Sequence, residues 1–267
     1  MRITVFSLAV LGVAFAVGPV PTYADITSEY YFTNIGGDLH QNVVVAQGTS
    51  VIRAWPFSQL NHEWAIAVND TVRTMGYGSG ILGAEYRLGG TPTGATYSHN
   101  LPEREFFDGT TDGQFNYAWD YRGGAAYRFD LDWANPQMLF NLPTERYDRL
   151  GITYDPWNDS LWISGWKDLD VVENRSMDGE LLSSFTVGHT YSGALALDYA
   201  DGTLWLYDWN ISGRFEQWSR DGNLLDTLTL SGVWMPHGGE FRIPAPGAAL
   251  LAVLGLSLVG WVKRRKA

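Results

Sequence analysis

One spacing organises the chain. Residues Gly151 to Ile163 lie over Ala194 to Leu206 without a gap, at an offset of 43. The same offset carries Asp178-Gly179 onto Asp221-Gly222, and in the other direction Trp162 onto Trp119 and Asp155 onto Asp112. One more step reaches Asn69, at the end of the apolar run Ala65 to Val68, and a separate column passes through Val43, Tyr86, Phe129, Val172 and Phe215. A repeat of constant length restricts the fold more than any composition does, because each unit must be one supersecondary piece that buries its faces against its neighbours.

Each unit reads as four short strands. The first ends at the Asp/Asn column, the second carries Trp119, Trp162 or Trp205, the third contains the Val/Tyr/Phe column, and the fourth follows an Asp-Gly hairpin turn such as Asp178-Gly179 or Asp221-Gly222. Units of about 40 to 50 residues with four strands are the mark of propeller blades. Complete units begin near Trp64, Phe107, Leu150 and Gly193. Two fragments remain. Ser28 to Phe57 holds strands two to four of a unit, and His237 to Arg242 aligns only with a first strand. Together they make one more blade, so the expected fold is all-β, a five-bladed β-propeller whose two ends share the closing blade and leave the ring without a free sheet edge.

The run Leu197-Asp198-Tyr199-Ala200-Asp201-Gly202-Thr203-Leu204-Trp205 resembles the broad NHL and gluconolactonase-like propeller class, in which an apolar strand ending in Asp is followed by an Asp-Gly-x-Leu-Trp hairpin. The resemblance covers the units beginning near Leu150 and Gly193 well and the two before them loosely. It implies architecture only, since this scaffold carries enzymes, sugar binders and docking platforms alike.

Both ends of the chain read as delivery signals. Met1-Arg2, the apolar run Ile3 to Val17 and the small residue of Thr22-Tyr23-Ala24 describe a secretory signal over residues 1–24, with a mature chain beginning near Asp25. At the other end Pro244-Ala245-Pro246 precedes an uncharged apolar run, 247–262, that closes on Lys263-Arg264-Arg265-Lys266. That order predicts a transmembrane helix with its basic end in the cytoplasm. The segment 244–267 resembles the PEP-CTERM sorting signal of bacterial surface proteins, with Ala245 in place of the central glutamate. The resemblance implies an exosortase-type sorting peptidase as partner, a Gram-negative envelope, and the neighbourhood of exopolysaccharide production. A cleaved tail and a retained anchor both fit it. The propeller body is then 25–243.

Absence of cysteine in an exported chain leaves the core, not disulfides, to hold the fold. Five of the 18 basic residues (Arg2, Lys263, Arg264, Arg265 and Lys266) and none of the 29 acidic ones lie in the end segments, so the body carries 13 basic against 29 acidic residues, a formal charge of −16. Such a surface disfavours nucleic acid and anionic lipid and favours neutral ligands or cations. No Gly-x-Ser-x-Gly elbow, phosphate-binding glycine loop or His-Glu-x-x-His motif occurs.

The recurring Asp112, Asp155 and Asp198 are read as turn caps that accept local backbone N–H bonds, not as metal ligands. Trp119, Trp162 and Trp205 are read as packing between blades. Candidate ligand-binding residues come from the column just before each innermost strand: His62, Glu105, Asp148, Tyr191 and Trp234, at steps of 43 around one mouth of the central channel. Trp166 and Trp209, also 43 apart, lie on loops expected at the same mouth, where indoles beside Asp168 and Asp208 suit sugar rings. No catalytic residue and no metal ligand is assigned, and no cofactor is required, calcium being the one that the mouth carboxylates would admit.

Two functions from different classes follow. The first is an exported, envelope-anchored propeller acting as a non-catalytic binding or scaffold module at the cell surface or in the exopolysaccharide matrix, with extracellular polysaccharide or envelope proteins as partners. The alternative is a metal-assisted hydrolase or lactonase working at the channel mouth through Glu105, Asp148 and His62.

Overall fold

The computed structural model describes residues 25–59, 62–142 and 148–243 of the 267. Segment 1–24, expected to be a secretory signal, and segment 244–267, expected to be a sorting tail with Pro244, Ala245 and Pro246, lie outside them. No helix among the described residues is long and apolar enough to cross a membrane.

Twenty strands form five four-stranded antiparallel sheets. The chain starts with β1 (Ile26–Gly36), β2 (Asn42–Gly48) and β3 (Ser50–Pro56). Blade 1 follows as β4 (Glu63–Val68), β5 (Thr71–Gly76), β6 (Gly83–Arg87) and β7 (Pro92–Tyr97). Blade 2 is β8 (Phe106–Thr111), β9 (Asn116–Asp120), β10 (Ala125–Phe129) and β11 (Gln137–Asn141). Blade 3 is β12 (Arg149–Asp155), β13 (Ser160–Gly165), β14 (Val171–Ser176) and β15 (Leu181–Thr186), and blade 4 is β16 (Ser192–Asp198), β17 (Thr203–Asp208), β18 (Arg214–Trp218) and β19 (Leu224–Thr229). The last strand, β20 (Trp234–Phe241), returns to pair with β1, so the closing sheet has the order β20-β1-β2-β3. The five-bladed ring and the blade shared by both ends are as expected. Free edges persist on the rim, however, where β3, β7, β11, β15 and β19 each have one unpaired side.

The repeated columns fall where the spacing puts them. Asp155 and Asp198 end their inner strands and accept the N–H of Trp157 (3.0 Å) and Ala200 (2.9 Å), while Asp112 accepts those of Gln114 and Phe115 (both 2.7 Å). These are turn caps. Trp119, Trp162 and Trp205 are at most 1% exposed. Trp162 packs on Leu195, Leu197 and Leu204 of the next blade, and Trp205 on Tyr30 and Phe32 of the closing blade. Apolar burial is thus divided into five clusters, one in each seam between neighbouring blades. No blade could keep its faces dry alone, which ties the ring's stability to closure.

The axis has its own device. Every inner strand breaks register with its neighbour at the same level: between Glu63 and Ala65, Phe106 and Gly109, Arg149 and Ile152, Gly193 and Ala196, and opposite the Phe32 to Asn34 step in β20. Such bulges release backbone N–H groups from the ladder. Asp108, fully buried, collects four of them. Its Oδ1 accepts from Gly109 and Gly239 (both 2.8 Å), and its Oδ2 from Ile152 (3.1 Å) and Leu195 (3.0 Å). Four of the five inner strands therefore meet on one carboxyl group. Thr33 Oγ1 links the fifth, donating to Trp64 O (2.5 Å) and accepting from Gly238 N (3.0 Å). A Cβ at Gly239 would stand 2.8 Å from Ala194 O and closer still to the Tyr30 hydroxyl, so only glycine brings this strand to the axis.

Burial pushes the Asp108 carboxyl well above the ordinary carboxylate range, and the four N–H donors pull against it. Replacing Asp108 by Asn turns one acceptor oxygen into a donor facing two N–H groups. Denaturant titration of Asp108→Asn is expected to show a loss of roughly 2–5 kcal/mol in unfolding free energy.

Candidate functional site

The inner strands β4, β8, β12, β16 and β20 all begin at one end of the channel, and the second strands of the blades finish there. At this mouth the carbonyls of His62, Glu105, Asp148 and Tyr191 accept the N–H groups of Tyr77 (3.1 Å), Tyr121 (2.8 Å), Trp166 (2.7 Å) and Trp209 (3.0 Å). The column read from the spacing is therefore a repeated backbone position. Trp234, its fifth member, pairs with Gly36 and takes a hydrogen bond to Asn34 Oδ1 (3.1 Å).

The side chains fall into separate groups. His62 lies against Tyr77 and Trp64, with ring centroids 4.9 and 5.4 Å away. Trp166 stands edge-on to both Tyr191 (5.0 Å) and Trp209 (4.8 Å). Glu105 faces Arg122 at 3.6 Å. Tyr191 and Trp234 are 39% and 48% exposed, which leaves part of each ring open to a ligand.

His237, not singled out as a site residue from the spacing, joins the aromatic groups. Its ring stacks on Trp64 (4.3 Å) and Phe107 (5.2 Å) and takes the edge of Trp209 (5.0 Å). Nδ1–H donates to Met235 O (3.1 Å), which places a ring proton on Nδ1. Burial pushes this imidazole down to about 3, with His62 adding a small push in the same direction. Among the described residues neither the Trp64 nor the Trp209 indole N–H has a hydrogen-bond partner. The channel floor is thus an aromatic, uncharged surface.

Charge gathers elsewhere at the same end, where the loop leaving β15 crosses the top of blade 4. His189 Nε2 lies 2.9 Å from Glu216 Oε2, and its Nδ1 is 3.6 Å from Asp208 Oδ1. Arg214 reaches Glu216 Oε1 (2.9 Å), and Trp218 Nε1–H donates to Glu216 Oε2 (3.1 Å). Asp208 Oδ1 accepts from Asn210 N and Nδ2, both 2.9 Å. These groups line a cavity of about 470 Å³. Burial would lower His189, but the hydrogen bond to Glu216 and the two carboxylate charges outweigh it and hold the imidazole above its ordinary value; Glu216 in turn is lowered by His189 and Arg214 against burial. His189, Asp208 and Glu216 are the described residues that could hold a metal ion together. They sit on a loop and two strands, with no motif spacing to announce them.

No protein-family model matches the sequence, and no curated protein matches it. Among solved structures the chain is similar to one in the crystal structure of a nidogen/laminin complex, at 14% identity and a TM-score of 0.54, covering 81% of this chain and 99% of that one. It also matches a streptogramin B lyase (14% identity, TM-score 0.46, 84% and 74% covered) and the glutaminyl cyclase of Myxococcus xanthus (15%, 0.48, 76% and 79%). At these identities the likeness is one of fold alone.

The depressed imidazoles give a pH dependence. His99, which accepts Leu101 N–H on Nδ1 (3.1 Å), is pushed down by burial to about 4. Between the ordinary value of 6.5 and these lowered ones, the unfolded chain binds protons on His99 and His237 that the native chain does not, so acid favours unfolding. The buried Asp108 and Glu240 carboxyls, raised above their ordinary range, hold protons in the native chain and work the other way. The His99 effect is therefore read as a difference: the thermal midpoint of the native chain minus that of His99→Asn, which keeps an acceptor at the Nδ1 position, is expected to fall as pH drops from 6.5 toward 4, the site contributing up to about 1.4 kcal/mol per pH unit.

Proposed function

We propose that the chain is an exported, envelope-anchored propeller that works as a non-catalytic binding or scaffold module at the cell surface or in a polysaccharide matrix, after recognition by an exosortase-type sorting peptidase. The observation that carries the binding role is the mouth itself. Its floor is a histidine kept neutral between Trp64 and Phe107, and its walls are the partly open rings of Trp166, Tyr191, Trp209 and Trp234. Partly open aromatic faces suit neutral sugar rings, whose C–H faces lie on the indole. A body charge of −16 turns anionic polymers away and leaves neutral glycans as the favoured class.

Against the alternative at the channel mouth, Glu105 is engaged by Arg122 and the rings of Tyr77 and Trp64 are the described neighbours of His62, whereas acid–base work by that pair needs the two within reach of one another.

Neutral oligosaccharides titrated into the protein are expected to shift its tryptophan fluorescence. Trp166→Ala and Trp234→Ala should each weaken that binding about tenfold, the scale of one aromatic stacking contact. Indifference to all neutral glycans, together with turnover of a lactone or small ester that depends on Glu105, would reverse the assignment.

A further inference from the structure

We propose a second site, independent of the channel mouth: a divalent transition-metal site at the mouth-side end of blade 4, with His189, Asp208 and Glu216 as ligands. One ligand atom from each lies within 4.8 Å of the others, a spread that a small inward movement of the side chains brings to the 2.0–2.2 Å bond lengths of zinc. Two of the three are carried on adjacent strands, Asp208 on β17 and Glu216 on β18, with only 3% and 2% exposure. His189 approaches from the loop, with the cavity on its open side.

Comparison of blades 3 and 4 at the 43-residue offset shows what is unusual here. Glu173 is the blade 3 counterpart of Glu216, and it is saturated by arginine. Arg149 reaches its Oε2 through Nε (3.2 Å) and Nη2 (2.9 Å), and Arg175 reaches the same oxygen at 2.8 Å. In blade 4 the counterparts of those two arginines are Ser192 and Trp218, while Gly165 is replaced by Asp208. Two arginines on the acid that is kept have been exchanged for a second carboxylate, an imidazole and one arginine, Arg214, which stands where blade 3 has Val171 and pairs with Glu216 at 2.9 Å.

The shortened side chain leaves an orphan. Ser192 is 1% exposed, and its hydroxyl has no partner among the described residues. It is the direct cross-strand partner of Asp208, and Glu216 opposes Leu206, two residues before Asp208, so all three side chains share one face of the sheet. Where Arg149 extends to its acid in blade 3, Ser192 stops short and presents an unpaired oxygen beside Asp208.

The remaining contacts fix the two carboxylates. Arg214 grips Oε1 of Glu216 and stands 3.9 Å from Asp208 Oδ2, Oε2 of Glu216 accepts the Trp218 indole N–H (3.1 Å) and faces His189, and Asn210 orients Asp208 from its backbone and side chain. An ion on His189 Nε2 leaves Nδ1–H to donate to Thr190 O, 3.3 Å away, which selects the tautomer that a metal needs. One nitrogen with two carboxylates favours zinc or another first-row divalent ion over calcium, which takes an all-oxygen shell.

Calorimetric titration of the chelator-treated full chain with Zn²⁺ tests this. One equivalent is expected to bind, with a rise in thermal midpoint, and Ca²⁺ should bind far more weakly. His189→Ala, at a partly open position, should weaken Zn²⁺ binding by about a hundredfold or more, and the near-isosteric Asp208→Asn should also weaken it by at least about tenfold. Glu105→Gln, at the channel mouth, should leave it unchanged. Absence of binding by the folded wild-type chain overturns the site, as does binding that survives both His189→Ala and Asp208→Asn. Loss on Glu105→Gln would also overturn it and place the ion at the mouth.

Discussion

The ring is centred on one carboxyl group. A propeller's inner strands converge on an axis too narrow for ordinary side chains, and the bulge in each strand turns backbone N–H groups into that space with no ladder partner. A buried N–H left unpaired costs about 1–3 kcal/mol, so several around one axis would rival the whole stability of a domain. Asp108 answers four of them with two oxygens. Because its donors come from blades 2, 3 and 4 and from the closing blade, the contact cannot form until the ring does. The five seam clusters supply the apolar driving force, and Asp108 sets where the strands stop sliding.

The same confined space explains two other residues. Asp108 and His237 occupy the same repeat position, whose other members are Ala65, Gly151 and Ala194. Three small residues make room for two large ones, the acid deeper along the axis and the imidazole at the mouth. Glu240 is also fully buried, and burial pushes its carboxyl well above the ordinary range against hydrogen bonds from Thr110 and from the backbone of Thr111 and Phe241. The interior therefore keeps its ionisable groups neutral or fully hydrogen-bonded, as a low-dielectric channel demands.

Periodicity made the architecture legible because it repeats the same physical need. The Asp column caps the same turn in each blade, the Trp column fills the same seam, and a missing first strand at one end matched a spare one at the other. Site residues obey the opposite logic. Asp108 and His237 matter because they depart from a column of Ala and Gly, and a search for agreement passes over them. The blade 4 cluster draws on a loop and two strands, and it stands out only when Glu216 is set against Glu173 and the two arginines on one are seen to give way to a histidine, a second carboxylate and a single arginine around the other. The mouth column itself was found at the right end of the channel, yet what recurs there is a carbonyl accepting a hydrogen bond, a feature any side chain permits.

Strand β20 enters the ring at the mouth, with Trp234 and His237, and leaves it at the far end, where Phe241 pairs with Tyr30 and Ile243 N–H reaches Val68 O at 3.3 Å. β1 starts at that same far end. Both strands of the closing seam thus open onto the face opposite the aromatic rings. A support that grips the polypeptide past Ile243 would hold the disc by its underside, like a dish on a stalk, with the tryptophans turned toward whatever drifts by.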